Sequence, residues 1–172
     1  MKTVLMDSSS AILLYKSDIL MTFLRAYRIL IPPSVYIELT KEGKPGAEMF
    51  QDLPRHSLLK LLTPAETAPS RTLIAVNQTL GKGEKELLSL YRQGVGDFLL
   101  IDDLAAAKIC LRENIPYTNA LLIPRILARG GMLCESCRHQ LTLHIFSLGR
   151  YSPRIHQKAR SMSENELYPF LP

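Results

Sequence analysis

The chain opens on Lys2-Thr3-Val4-Leu5-Met6-Asp7-Ser8-Ser9-Ser10. A short apolar run stops at a carboxylate and then at three hydroxyls. Such a run reads as a buried parallel strand, because a parallel sheet is covered on both faces. A strand of this kind delivers Asp7 to the carboxyl edge of the sheet, where open α/β sheets bind ligands. The same logic returns at Phe98-Leu99-Leu100-Ile101, which runs into Asp102-Asp103.

Working outward, Leu58–Leu62 and Ile115–Thr118 are further strand candidates beside Thr3–Met6 and Phe98–Ile101. Helical patterns lie between them. Pro32-Pro33-Ser34 opens a helix carrying Val35, Ile37, Glu38 and Leu39, since proline suits a first turn that needs no amide hydrogen. Residues 45–53 form a short helix, and Pro64 to Ser70 is a loop rich in Pro, Thr and Ser. Glu84 to about Gln93 places Leu87, Leu88 and Tyr91 at helical spacing, and Gly94 and Gly96 end it. Ala105, Ala106, Ile109 and Cys110 give the next helix an apolar face, which stops at Asn114. Leu133, Cys137, Leu141, Ile145 and Leu148 share a stripe on a later helix. Ser152-Pro153 is the cap and first turn of a last one. Strands alternating with helices predict an α/β fold, a three-layer α/β/α sandwich around a four- to five-stranded parallel sheet.

The chain has 172 residues, enough for one domain with a sizeable core. We divide it into residues 1–150 and a C-terminal helix and tail, 151–172, packing on the domain or on a second subunit. No apolar stretch reaches the roughly 18–20 residues of a membrane span. An acid at position 7 is foreign to a signal peptide. Three cysteines are too few and odd in number for a disulfide framework, so a reducing, cytoplasmic setting is expected. The net charge of +5 is uneven: residues 1–124 carry 14 Lys/Arg against 13 Asp/Glu, and residues 125–172 carry 7 against 3. The basic end is either a contact surface for phosphates or a solvated helix face.

Asp7, Glu38, Glu84 and Asp102-Asp103 are the candidate site. Each has an ordinary structural use as well. Asp7 and Asp102 or Asp103 suit N-caps, Glu84 suits a helix first turn, and Glu38 suits an exposed face. If the acids converge, like charges raise one another's pKa unless a cation neutralises them. All-oxygen ligands favour Mg²⁺ or Mn²⁺, which would polarise a phosphate and acidify an attacking water. Sequence spacing alone does not bring Glu84 to Asp7.

In order and spacing, four pieces resemble the PIN domain family of metal-dependent nucleases. They are Asp7-Ser8-Ser9 after the first strand, the helix from Pro33 to Leu39, Leu80-Gly81-Lys82-Gly83-Glu84-Lys85-Glu86, and Leu100-Ile101-Asp102-Asp103-Leu104-Ala105-Ala106. The last two look most like a prokaryotic branch with Gly-Glu and Asp-Asp motifs. The resemblance implies an endoribonuclease with an acidic Mg²⁺ or Mn²⁺ site, in some members the toxin of a toxin–antitoxin pair. RNA, an antitoxin protein and a second copy of the chain are the implied partners. Asp7, Glu38 and Glu84 match the first three acidic positions. The family's Thr-x-Asp aligns Asp103 as the fourth, with Asp102 the other candidate. Asp7, Glu84, Asp102 and Asp103 are the implied metal ligands. Ser9 matches a hydroxyl two residues past the first acid. This chain reads Thr118-Asn119-Ala120 where the branch has Thr-Gly-Thr, and alanines where it has an arginine after the acid pair. A catalytically silent module that binds RNA or protein is the competing reading. A phosphotransfer or receiver domain calls for a second acid near Asp7, where Ser9 stands.

Lys82, Lys85, Arg150, Arg154 and Lys158 are candidate phosphate contacts beside Ser9, with Arg160 next to them. Gly81-Lys82-Gly83 is too short for a nucleotide-binding fingerprint. Cys134-x-x-Cys137 invites a zinc or redox reading. Its helical spacing and the place of Cys137 on the apolar stripe favour a core role instead. His56 and His156 are expected at the surface.

Overall fold

A computed structural model describes residues 1–63 and 80–172 of the chain. Among the described residues, five parallel strands form one sheet: β1 (Thr3–Met6), β2 (Arg28–Ile31), β3 (Lys60–Leu61), β4 (Phe98–Leu100) and β5 (Tyr117–Thr118), in the order β3-β2-β1-β4-β5. The helices flank it as the three-layer reading requires. They are α1 (Ser8–Lys16), α2 (Leu20–Ala26), α3 (Pro33–Thr40), α4 (Ala47–Asp52), α5 (Lys82–Arg92), α6 (Leu104–Arg112), α7 (Ile123–Arg129), α8 (Glu135–Leu148), α9 (Pro153–Ser161) and α10 (Glu164–Leu167). Among the described residues, no helix is long and apolar enough to cross a membrane.

The register follows from burial. Leu5 pairs with Leu30 on one side and Leu99 on the other. Val4, Leu5, Met6, Phe98, Leu99 and Leu100 are wholly buried, so both faces of the central strands are covered. The chain winds from β1 to β2 and β3 on one side, then continues with β4 and β5 on the other. The order therefore reverses between β1 and β4, and that crevice is where a doubly wound sheet binds ligands.

β2 was not among the strand candidates. Its Arg28-Ile29-Leu30-Ile31 follows the apolar α2 with only Tyr27 between them, so periodicity alone does not separate the two. β3 is shorter than Leu58–Leu62, β5 is shorter than Ile115–Thr118, and α5 begins at Lys82 rather than Glu84. The loop expected at Pro64–Ser70 lies outside the described residues. Gly94 and Gly96 have φ of +78° and +87°, and Asn114 has φ of +54°, the left-handed turns that end α5 and α6.

The C-terminal tail docks on its own domain. Tyr27 donates its hydroxyl to the Phe170 carbonyl at 2.6 Å. Phe98 meets both Tyr27 and Phe170 edge to face, at 5.7 and 5.2 Å between centroids. These contacts, with the buried Leu167, anchor the last turn of chain beneath β1 and β4. The stripe on α8 is less buried than its spacing predicts. Ile145 is buried and Leu141 half-buried, whereas Cys137 and Leu148 are exposed.

Candidate active site

Asp7 lies one residue past β1, and its amide still donates to the Leu100 carbonyl of β4 at 3.0 Å. Its carboxylate caps α1, accepting from the Ser10 amide at 2.7 Å. The other oxygen accepts from the Asp102 amide at 3.1 Å. Asp102 follows β4 on the adjacent strand, so the two carboxyl groups straddle the reversal of strand order.

Asp102 is held from three further segments. One oxygen accepts from the Ser10 hydroxyl at 2.7 Å and from the Ala120 amide at 3.1 Å. The other accepts a short hydrogen bond from the Tyr151 hydroxyl. Asp7 is only 2% exposed. Burial pushes its carboxyl up to about 7, and the charge of Asp102 adds to the shift. Hydrogen bonds from Ser10 and from the Asp102 amide pull it back. Asp102 is raised by burial too, against hydrogen bonds from Tyr151, Ser10 and Ala120. Tyr151 itself is pushed well above the usual phenol range, chiefly by burial and then by the Asp102 charge, so it remains a donor.

The other acids sit on α3, on α5 and at the start of α6. Glu38, exposed on α3, accepts from the Ser8 hydroxyl at 2.6 Å, one residue from Asp7. Glu86 caps the N-terminus of α3, accepting from the Ser34 hydroxyl at 2.5 Å and its amide at 3.3 Å. That contact ties the first turns of α3 and α5 together. Gly83 makes it possible: a Cβ there would sit 2.9 Å from Val35 Cγ2 and 3.6 Å from a Glu38 oxygen. Glu84 rides on the same turn and folds its carboxylate back against Gly81. Asp103 caps α6, accepting from the Ala106 amide at 2.8 Å. The Thr-x-Asp alignment points to Asp103, whereas it is the Asp102 amide that donates to Asp7 and the Asp102 charge that acts on it.

Ser9 is exposed in the first turn of α1. Lys82 is exposed and pairs with Glu86 at 3.8 Å, and Lys85 is half-buried beside it. Arg150, Arg154, Lys158 and Arg160 are exposed along the segment that follows α8, which also delivers Tyr151. Two residues escaped sequence reasoning. Ser10 could have been found, since the third residue after a capping Asp turns back toward it. Tyr151 carries no local signal; only tertiary packing brings it to Asp102.

The donor set fits a small hard dication in kind. The buried Asp7 and half-buried Asp102 carboxyl groups disfavour their own charges, and a cation would neutralise them. Thr118 Oγ1 and Asn119 Oδ1, on the turn whose Ala120 amide holds Asp102, are buried oxygens without a hydrogen-bond partner among the described residues. The set is small, however. Among the described residues, no three Asp, Glu, His or Cys side chains lie close enough to hold a metal ion. One or two carboxylates with water and phosphate oxygens suffice for Mg²⁺.

Comparison with known families decides the lineage: the model of the DUF3368 family, a PIN domain, matches residues 3–165. The chain belongs to the PIN domain family. PIN domains are generally nucleases and typically use divalent metals, so the module here is of nuclease type. No curated protein and no solved structure matches the chain.

Cys134 and Cys137 depart from the core role expected of them. Both are exposed, Cys134 caps α8, and their sulfurs are bonded to each other. The link is a single local disulfide rather than a framework, and it leaves Cys110 as a buried free thiol.

Proposed function

We propose that this PIN domain is a cytoplasmic, metal-dependent endoribonuclease centred on Asp7 and Asp102, with Glu38 and Glu84 at the rim. The observation behind this reading is the carboxyl pair across the strand reversal, with Asp7 buried and accepting from the amide of the half-buried Asp102. Asp7 and Asp102 would hold a Mg²⁺ or Mn²⁺ ion, which when bound polarises a phosphate and acidifies the attacking water. Ser10 and the Ala120 amide fix the Asp102 carboxylate in its rotamer. Ser8 turns Glu38 toward the same edge. Exposed Arg150, Arg154 and Lys158 supply positive charge along the C-terminal segment for the RNA backbone. Asp7→Asn should remove metal-dependent cleavage of a single-stranded RNA by the folded protein.

A toxin role adds an antitoxin partner to this reading; co-expression with the product of an adjacent small reading frame, followed by purification of one complex, tests it.

One observation favours a second reading, a silent RNA- or protein-binding module. Both oxygens of Asp102 already have donors within the protein. Calorimetric titration with Mn²⁺ separates the two: the nuclease binds the ion with heat that Asp102→Asn abolishes, and the silent module gives none.

A further inference from the structure

We infer that Cys134 and Cys137 form a reversible thiol–disulfide exchange site whose co-reactants are small thiols of the glutathione class and their disulfides. The site is independent of the nuclease reading. The bonded sulfurs lie on the first turn of α8, a 14-residue helix, with both cysteines exposed to attack. The bond closes a ring of only four residues, the size that restricts an unfolded chain least, so it contributes little as a staple.

Its surroundings suit exchange. Cys134 is the capping residue, and its Sγ accepts from the Cys137 amide at 3.1 Å. The Ser136 hydroxyl lies 3.1 Å from the same sulfur and, with Cys134 bonded, is the donor. Amide donors and the positive end of a helix dipole stabilise a thiolate there, and a stabilised thiolate leaves faster. Cys110 is the contrast within the chain. It is buried, and burial pushes its thiol up to about 12, which leaves it inert.

An incoming thiolate attacks Cys137 Sγ, forming a mixed disulfide and expelling Cys134 as the thiolate held by the Cys137 amide. A second small thiolate attacks the outer sulfur, releasing Cys137 as a thiolate and leaving a small-molecule disulfide. The two protons of the incoming thiols end on Cys134 and Cys137. Two electrons pass from two small thiols to the protein disulfide, and the reverse reaction oxidises the pair.

The test is a redox titration of the folded, full-length protein in glutathione buffers, acid-quenched and labelled with N-ethylmaleimide. Intact mass and peptide mapping read the labels, with circular dichroism following the fold. The pair should pass from two labels to none as the buffer becomes oxidising and recover both in millimolar dithiothreitol, with the fold unchanged. Cys110 should label only in denaturant. Cys134→Ser and Cys137→Ser should each lose that transition and take up one glutathione on the remaining cysteine. A pair that stays bonded in dithiothreitol while the protein is folded would overturn the inference. So would a pair that stays reduced in excess glutathione disulfide, or one that instead retains zinc.

Discussion

Tyr151 donates its hydroxyl to the carboxylate of Asp102, across 49 residues of sequence. That bond ties the segment between α8 and α9 to the end of β4. Gly149 lets the Tyr151 ring lie flat against its backbone, where any Cβ would collide with the ring. A buried acceptor left without its donor costs about 1–3 kcal/mol. Tyr151→Phe should therefore lower stability by about that amount, read by urea denaturation at pH 8. An unchanged midpoint and slope would mean the bond is not formed in solution.

Asp102 and Asp103 are neighbours with different work. Asp103→Ala removes a helix cap and should cost about 1 kcal/mol while largely sparing metal-dependent cleavage. Asp102→Asn should remove cleavage and Mn²⁺ binding together. Equal loss of cleavage in both variants, each folded, would contradict the assignment of Asp102.

Gly83 sits where α5 crosses α3. Gly83→Ala gains helix propensity, at most about 1 kcal/mol and less in a first turn. Against this, its Cβ would lie 2.9 Å from a methyl of the buried, β-branched Val35. Overpacking of that kind costs about 1–3 kcal/mol, so the clash should win. The variant should melt lower and cleave more slowly, because the turn carrying Glu84 is pushed away from Glu38. A higher melting temperature would show that the helices separate freely.

The raised Asp7 carboxyl makes stability depend on pH in an unusual sense. Its folded value of about 7 lies above the unfolded carboxylate value. Between the two the folded protein binds more protons than the unfolded chain, so stability falls as pH rises through that window. In EDTA, urea denaturation should show this decline from about pH 4 to about pH 7. Asp7→Asn should lack that component. Mn²⁺ at 100 times its dissociation constant should restore about 2.7 kcal/mol at pH 8. A wild-type profile that rises over the same range, or one shared with the variant, would contradict the burial of Asp7.

The sheet was legible because its central strands are short apolar runs ending on acids, and the Asp7 and Asp102 ends meet as those runs imply. β2 was not, because Arg28–Ile31 is as apolar as the helix before it and no turn signal divides them. The place of Asp7 at the end of β1, beside β4, was readable from strand logic. Which of Asp102 and Asp103 turns toward Asp7 was not, since a strand's last residues alternate direction and one of the two caps α6. Tyr151 was beyond sequence reasoning, as was the surface position of the cysteine pair. The stripe on α8 runs through Cys137, but the residues of its first turn, Cys134 to Cys137, are all exposed.

The role of Asp7 in metal-dependent cutting can be read from cleavage of a labelled single-stranded RNA by wild-type protein and Asp7→Asn, in Mn²⁺ and in EDTA. The wild type should cut in Mn²⁺ alone, and the variant should lose at least about a hundredfold, or nearly 3 kcal/mol of transition-state stabilisation. Equal cutting by both proteins, or cutting that persists in EDTA, would contradict it.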